Sequence, residues 1–217
     1  MDMNKVIGIV GTGKIGGSIA KLLVKNGYQV ILASKNNKTA QAIVLELGIQ
    51  ASINPPERMT EFADIIILSA PLSEIPFLSL SFRMSCKDKI LIDTCNPSRS
   101  RDGKIAFDIF ESFSTSSIWL KQYFPKAKIV KAFNTISDKV FIDQIGRKGS
   151  VDIAIPIASD DDYSMQKVYN IVQKIGFTPV IAGNLDKAKH FGPGTMPYGA
   201  NVTGEVLQKY FSTFCND

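Results

Sequence analysis

The chain has 217 residues, 45% of them hydrophobic and 21% charged, which is enough for one well-packed core and excludes wholesale disorder. The net charge is +5, but basic residues never run longer than two, which argues for a mildly basic surface and against the clustered stripe of a nucleic-acid binder. No stretch reaches the roughly 20 apolar residues of a membrane helix. Cys86, Cys95 and Cys215 have no metal-ligand spacing and read as reduced thiols of a cytoplasmic protein.

The first predicted element is a strand, "KVIGIV" (5–10), and an amphipathic helix follows from Ile15 to Lys25. The glycines in this opening stretch and Lys14 break its apolar run, so it reads as a buried strand rather than a secretory leader. Between strand and helix stand Gly11, Thr12, Gly13, Lys14, Ile15 and Gly16, a G-x-G-x-x-G match in the strand-to-helix setting that gives it meaning. Gly11 permits the tight turn. Gly13 lets a pyrophosphate approach bare backbone, and Gly16 lets helix and strand pack closely. The helix N-terminus then offers N–H donors and the positive end of its dipole to an anion.

A second strand, "YQVILA" (28–33), runs into Ser34, Lys35 and Lys38 before a helix over 39–47. Ser34 lies 18 positions after Gly16, where a chain of this type reaches the adenosine ribose. An acid there would bind the ribose hydroxyls and repel a 2′-phosphate. No Asp or Glu occurs between Gly11 and Val44. A hydroxyl and two ammonium groups suit the 2′-phosphate instead, so the expected ligand is NADP.

Further strands are predicted at "DIIILSA" (64–70), "KILIDT" (89–94), "KIVKAF" (128–133), "VDIAIPIA" (151–158) and "TPVIAG" (178–183), with the clearest later helices at 162–175 and 198–214. Unbroken apolar strands alternating with helices predict an α/β, Rossmann-like, doubly wound and mostly parallel sheet. The chain reads as one domain, with the part from about 150 to 217 as a small C-terminal extension that completes the acceptor site. Residues 95–104 are the most polar irregular stretch. Three strand ends stand out: Ser69-Ala70-Pro71, Asn96-Pro97 and Phe133-Asn134-Thr135. Their small and proline residues leave room for a flat ring, and Asn96, Asn134 and Thr135 can bond a carboxamide or ribose, although each also suits a turn or helix cap. No catalytic residue and no metal set emerges, and His190, the single histidine, reads as a surface or packing residue. Such a site suits hydride transfer between stacked rings, which needs orientation more than a protein acid.

With "VGTGKIGGSIAKLLVKNGYQVILASK", "IDTCNP", "VKAFNTI" and "IASDDDYSMQKVYNIVQKIGFTPVIAGNLDKAKHF" in view, the chain resembles the NADPH-dependent coenzyme F420 (deazaflavin) reductase family. That family also covers the flavin-reducing domains of metalloreductases. The resemblance implies NADP, with its phosphate at Ser34, Lys35 and Lys38, and hydride exchange with a flavin-like ring. The chain departs from the family in having Lys35 where arginine is usual, and in a longer, more aromatic segment over 95–124. The expected protein is an NADP-dependent oxidoreductase acting on a flavin, deazaflavin or small acceptor, with a homodimer as the candidate assembly and no nucleic-acid or membrane partner. Two other readings stand beside it: an imine or hydroxy-acid reductase, whose kind carries a helical dimerisation domain of about 100 further residues, and an NADP sensor without turnover. The acceptor is expected between Ala70-Pro71, Asn134 and the loop Gly192–Gly199, where Gly192, Gly194 and Gly199 offer backbone and Met196 and Tyr198 apolar contact.

Overall fold

A computed structural model describes residues 6–214; the expectations for Lys5 and Cys215 lie outside it. In chain order the elements are β1 (Val6–Val10), α1 (Lys14–Lys25), β2 (Gln29–Ala33), α2 (Asn37–Leu47), β3 (Ala51–Ile53), α3 (Pro56–Met59), β4 (Ile65–Leu68), α4 (Leu80–Ser85), β5 (Ile90–Asp93), α5 (Arg99–Asp102), α6 (Lys104–Ser112), α7 (Ser116–Leu120), β6 (Lys128–Lys131), α8 (Asp138–Gly146), β7 (Ala154–Ser159), α9 (Asp162–Lys174), β8 (Thr178–Gly183) and α10 (Gly204–Phe214). Short 3₁₀ turns at Leu72–Phe77 and Leu185–Phe191 complete the chain's course around the sheet.

Among the described residues eight strands form one sheet in the order β3-β2-β1-β4-β5-β6-β7-β8. The first six are parallel, with neighbours such as Ile9 opposite Leu32 and Ile67. The doubly wound class is therefore correct, and its order reverses between β1 and β4, the place where such sheets bind ligands. β7 runs antiparallel to β6 and β8 runs parallel to β7, so the sheet reverses direction once. The predicted C-terminal extension is thus two further strands of the same sheet.

The apolar strands are buried on both faces because residues alternate between two cores. Ile65 and Ile67 join Ile19, Leu22, Leu23 and Phe141 on one face, while Ile66 and Leu68 join Phe82, Trp119 and Phe124 on the other. A third cluster seats Phe191, Leu207 and Phe211 on Ala154, Ala158 and Val180. Helices α1 and α8, which pack together on one face of the sheet, are also stitched at their ends. Lys25 in the last turn of α1 donates to the carbonyls of Gln144, Ile145 and Arg147 at 3.2, 2.5 and 2.6 Å, capping α8 where its carbonyls lack helical partners.

Several predicted bounds move. β3 was not foreseen. The last helix starts at Gly204 rather than 198, because residues 198–203 turn, and β7 begins at Ala154 rather than 151. The supposedly irregular 95–104 contains the helical turn Arg99–Asp102 and the start of α6.

Candidate dinucleotide and acceptor site

The sheet's carboxyl edge opens into two joined hollows. One, about 790 Å³, lies over β1 and β2 and is lined by Gly11, Thr12, Gly13, Ser34, Lys35, Asn36, Asn37 and the turn after β3. The other, about 660 Å³, lies over β4, β5 and β6 and is lined by Lys14, Ile15, Thr94, Asn96, Pro97, Phe133, Asn134 and Tyr198 among others. Gly13, Ser69, Ala70 and Pro71 line both, so the two form one continuous cleft.

The glycine loop has the geometry its residues predict. Gly11 sits at φ +97°, and a Cβ there would meet the Ser69 carbonyl oxygen at 2.4 Å. A Cβ on Gly16 would meet the Gly11 carbonyl oxygen at 2.0 Å, so Gly16 is a packing residue below the cleft rather than part of its wall. A Cβ on Gly13 would meet nothing within 4 Å. The open space lies at the start of α1, whose first turn has neither a side-chain cap nor an acid. The N–H donors of that turn therefore face a bare approach suited to an anion. The residues fit a dinucleotide pyrophosphate on this ground, and Thr12 Oγ1 and Asn134 Oδ1 are buried without a hydrogen-bond partner among the described residues.

At the outer end, Ser34 accepts from the Asn36 N–H at 3.2 Å, and Asn36 caps α2 by accepting from the Thr39 N–H at 3.4 Å. Lys35 is exposed and lies in the cleft wall, while Lys38 projects from α2 outside it; Asn36 and Asn37 occupy the wall instead. The sequence is free of acids here, yet the fold supplies one. Glu74, from the turn after β4, pairs with Lys35 at 3.2 Å across the cleft.

At the inner end, Asn96 Nδ2 donates to the Asn134 carbonyl at 2.8 Å, and Asn134 Nδ2 donates to Asn96 Oδ1 and the Phe191 carbonyl at 3.1 Å each. This clasp joins the ends of β5 and β6 to the C-terminal loop. Phe133, at φ +64°, makes the sharp turn that presents Asn134. Thr135 is buried behind the wall, and its carbonyl accepts from the Gly199 N–H at 2.8 Å, which fixes the loop. From that loop Pro193 and Tyr198 reach the cleft, while Met196 does not line it. His190 stands on the 3₁₀ turn and also lies off both hollows; burial, followed by Lys189 and Lys187, lowers its pKa, which favours neutral imidazole.

Two constellations escaped the sequence. Beneath the Cys95–Asn96 turn, Lys131 and Asp93 form a buried pair at 3.0 Å between register partners of β6 and β5. Lys131 also donates to Ser116 Oγ and the Cys95 carbonyl, while Asp93 accepts from Ser117 Oγ at 2.6 Å and the Cys95 N–H at 2.8 Å. Burial and then Asp93 push the Cys95 thiol well up, and burial pushes Cys86 up to about 12, so both remain protonated and unreactive. The second constellation is Arg101 with Asp102. Arg101 lines the inner hollow and donates through Nε and Nη2 to both Asp102 oxygens, at 3.2 and 2.8 Å, and through Nη2 to the Asn96 carbonyl at 2.6 Å. Sequence spacing could not single out Arg101 among scattered basic residues or pair Lys131 with an acid 38 positions away.

Among the described residues no group of three His, Cys, Asp or Glu could hold a metal, and no helix is long and apolar enough to cross a membrane. Residues 6–97 match the family described as NADP oxidoreductase, coenzyme F420-dependent. Metalloreductase STEAP3 of Rattus norvegicus is 27% identical over 185 residues, covering 84% of this chain and 35% of that protein, so the chain spans about a third of such a metalloreductase. The F420-dependent NADP reductase of Methanothermobacter thermautotrophicus is 26% identical over 198 residues, covering 85% of this chain and 83% of the relative. Among solved structures, a putative F420-dependent NADP reductase from Arthrobacter sp. FB24 superposes with a TM-score of 0.67 at 18% identity, covering 84% of this chain and 86% of its own.

Proposed function

We propose that the chain, whose residues 6–97 match the family model described as NADP oxidoreductase, coenzyme F420-dependent, transfers hydride between NADPH and a flavin-like or other small acceptor. The observation that carries this reading is the continuity of the cleft. One run of small residues, Gly13, Ser69, Ala70 and Pro71, connects a hydroxyl-and-ammonium end at Ser34 and Lys35 to an amide-lined end at Asn96 and Asn134. An extended dinucleotide would lie along it, with its 2′-phosphate at the first end and its nicotinamide at the second.

Bound there, the dinucleotide would supply a hydride from its nicotinamide ring; the acceptor gains that hydride with one solvent proton. The chain's own residues hold and orient. The first turn of α1 donates to the pyrophosphate, Ala70 and Pro71 give the ring a flat floor, and the Asn96–Asn134 clasp fixes the wall beside it. No carboxylate or imidazole lines the inner hollow among the described residues, which suits transfer by proximity and orientation. The same lack suits an NADP sensor without turnover, and NADPH oxidation measured with a panel of flavins and small carbonyl compounds separates the two.

NADPH should bind at least about 10-fold tighter than NADH, the size of one charge-assisted contact to phosphate. Lys35→Ala should erase most of that difference. Glu74→Gln should tighten NADPH by a few-fold, because it frees Lys35 and removes a negative charge near the phosphate; the exposed ion pair that it breaks is worth little. Equal affinities for the two cofactors in a fluorescence titration would sink the assignment.

A further inference from the structure

Arg101 lies beyond the residues that match the family model, on the turn that closes the inner hollow. We propose that Arg101 is the anchor for an anionic substituent of the acceptor, so that the acceptor is a flat ring carrying a phosphate or carboxylate. The proposal rests on the hydride-transfer reading above and names its substrate class.

Three observations carry it. Among the described residues the lining of the inner hollow contains two cations, Lys14 and Arg101, and neither Asp nor Glu. Lys14 belongs to the phosphate loop, whereas Arg101 stands on the turn after β5, beside the Asn96–Asn134 clasp through its bond to the Asn96 carbonyl. The Arg101 side chain is also held from behind. Asp102 has no exposed side-chain surface, and its two oxygens are committed: Oδ1 accepts from the Ser73 N–H and Arg101 Nε, and Oδ2 from the Ser98 N–H and Arg101 Nη2. A buried carboxylate spent this way orders the guanidinium but does not face the cleft. Among the described residues the fork's hydrogen bonds use Nε and Nη2, which leaves Nη1 for a ligand, and the Arg101 side chain is half exposed. Finally, Tyr198 and Pro193 line the same hollow of about 660 Å³, a volume in the range of small-molecule sites. A planar ring against Tyr198 and an anion on Arg101 can therefore be held together. The two N–H groups on Nη1, on a guanidinium already held in place, can donate charge-assisted hydrogen bonds to a phosphate or carboxylate oxygen.

The test uses three flavins with one ring: riboflavin, which is neutral, FMN, which carries a phosphate, and 10-carboxymethylflavin, which carries a carboxylate. Each is titrated into the NADP⁺-loaded protein by quenching of flavin fluorescence, alongside NADPH-dependent turnover. At least one anionic flavin should bind about 10- to 100-fold tighter than riboflavin, and which one does so distinguishes phosphate from carboxylate. Arg101→Gln should bring the ratio close to one, and Arg101→Lys should keep part of it. Since Arg101→Gln strands the buried Asp102, the Arg101→Gln/Asp102→Asn double variant is measured in parallel and should show the same collapse. Equal binding of all three flavins by the native protein overturns the proposal, as does a preference that survives in both variants. A parallel loss of NADPH affinity overturns it too, by placing Arg101 on the dinucleotide. If no flavin binds while NADPH does, this proposal and the flavin acceptor fall together; if NADPH itself does not bind, the dinucleotide reading fails on its own evidence.

Discussion

Three glycines in one motif do three different things, and substitution should separate them. Gly13→Val puts a branched side chain into open space, so the fold should lose no more than about 1 kcal/mol while dinucleotide binding disappears. Gly16→Val drives its Cβ into the Gly11 carbonyl, a backbone atom that cannot swing aside, and should cost about 3 kcal/mol or more in urea unfolding. If Gly13→Val remains folded and still binds NADPH, the phosphate-loop reading fails. The trio was legible because its spacing has one well-defined mechanical use. Ser34 and Lys35 were legible as the end of a strand. Glu74 was not, because only the sheet order β2-β1-β4 brings a residue 39 positions away to Lys35. Lys38 and Met196 were placed in the site by their position in the chain, and neither is among the residues that line the two hollows.

At the scale of elements, the turn from Asn96 to Asp102 shows how a polar stretch conceals order. "SRSRDGK" reads as loop, yet its Asp102 gathers two backbone N–H groups and an arginine inside the protein. Burial alone would raise the Asp102 pKa; the hydrogen bonds from Arg101, Ser98 and Ser73 outweigh it and hold the carboxyl below its ordinary value of 3.8. A depressed carboxyl contributes its stability above the unfolded-state value and loses it as pH falls through the folded one. Asp102→Asn should therefore cost about 2 kcal/mol at pH 7, the range for hydrogen bonds to a charged group. The gap between native and variant should narrow below about pH 4 in urea melts; a gap constant with pH would show that the charge contributes nothing. β3 was missed for a simpler reason: three residues are too few to display an alternation. The aromatic content of 104–112 was seen, but the turn-like residues before it masked the helix that carries it.

For the molecule as a whole, the fold class followed from apolar runs separated by helical stretches, whereas strand direction did not. A helix between β6 and β7 reads as a crossover to a parallel strand, and α8 is such a helix, yet β7 comes back antiparallel. The two halves nonetheless share one core. Ile155, Ile157, Val168, Ile171 and Phe177 sit in the same cluster as Ile92, Val130 and Phe141. A chain cut after residue 150 should therefore aggregate rather than fold as a smaller nucleotide domain, and the full chain should unfold in one transition by circular dichroism and fluorescence alike. A soluble, NADPH-binding 1–150 fragment would contradict that. The reversal at β7 also sets an order in time. β8 finishes away from the carboxyl edge of the first six strands, and the chain must return along Leu185–Phe191 before Pro193 and Tyr198 reach the cleft. During synthesis the phosphate loop emerges long before this last wall. Until residues 193–198 leave the ribosome, the nascent chain has a half-built pocket, and until β7 docks it has an unpaired edge on β6, the kind of edge that invites association with other chains.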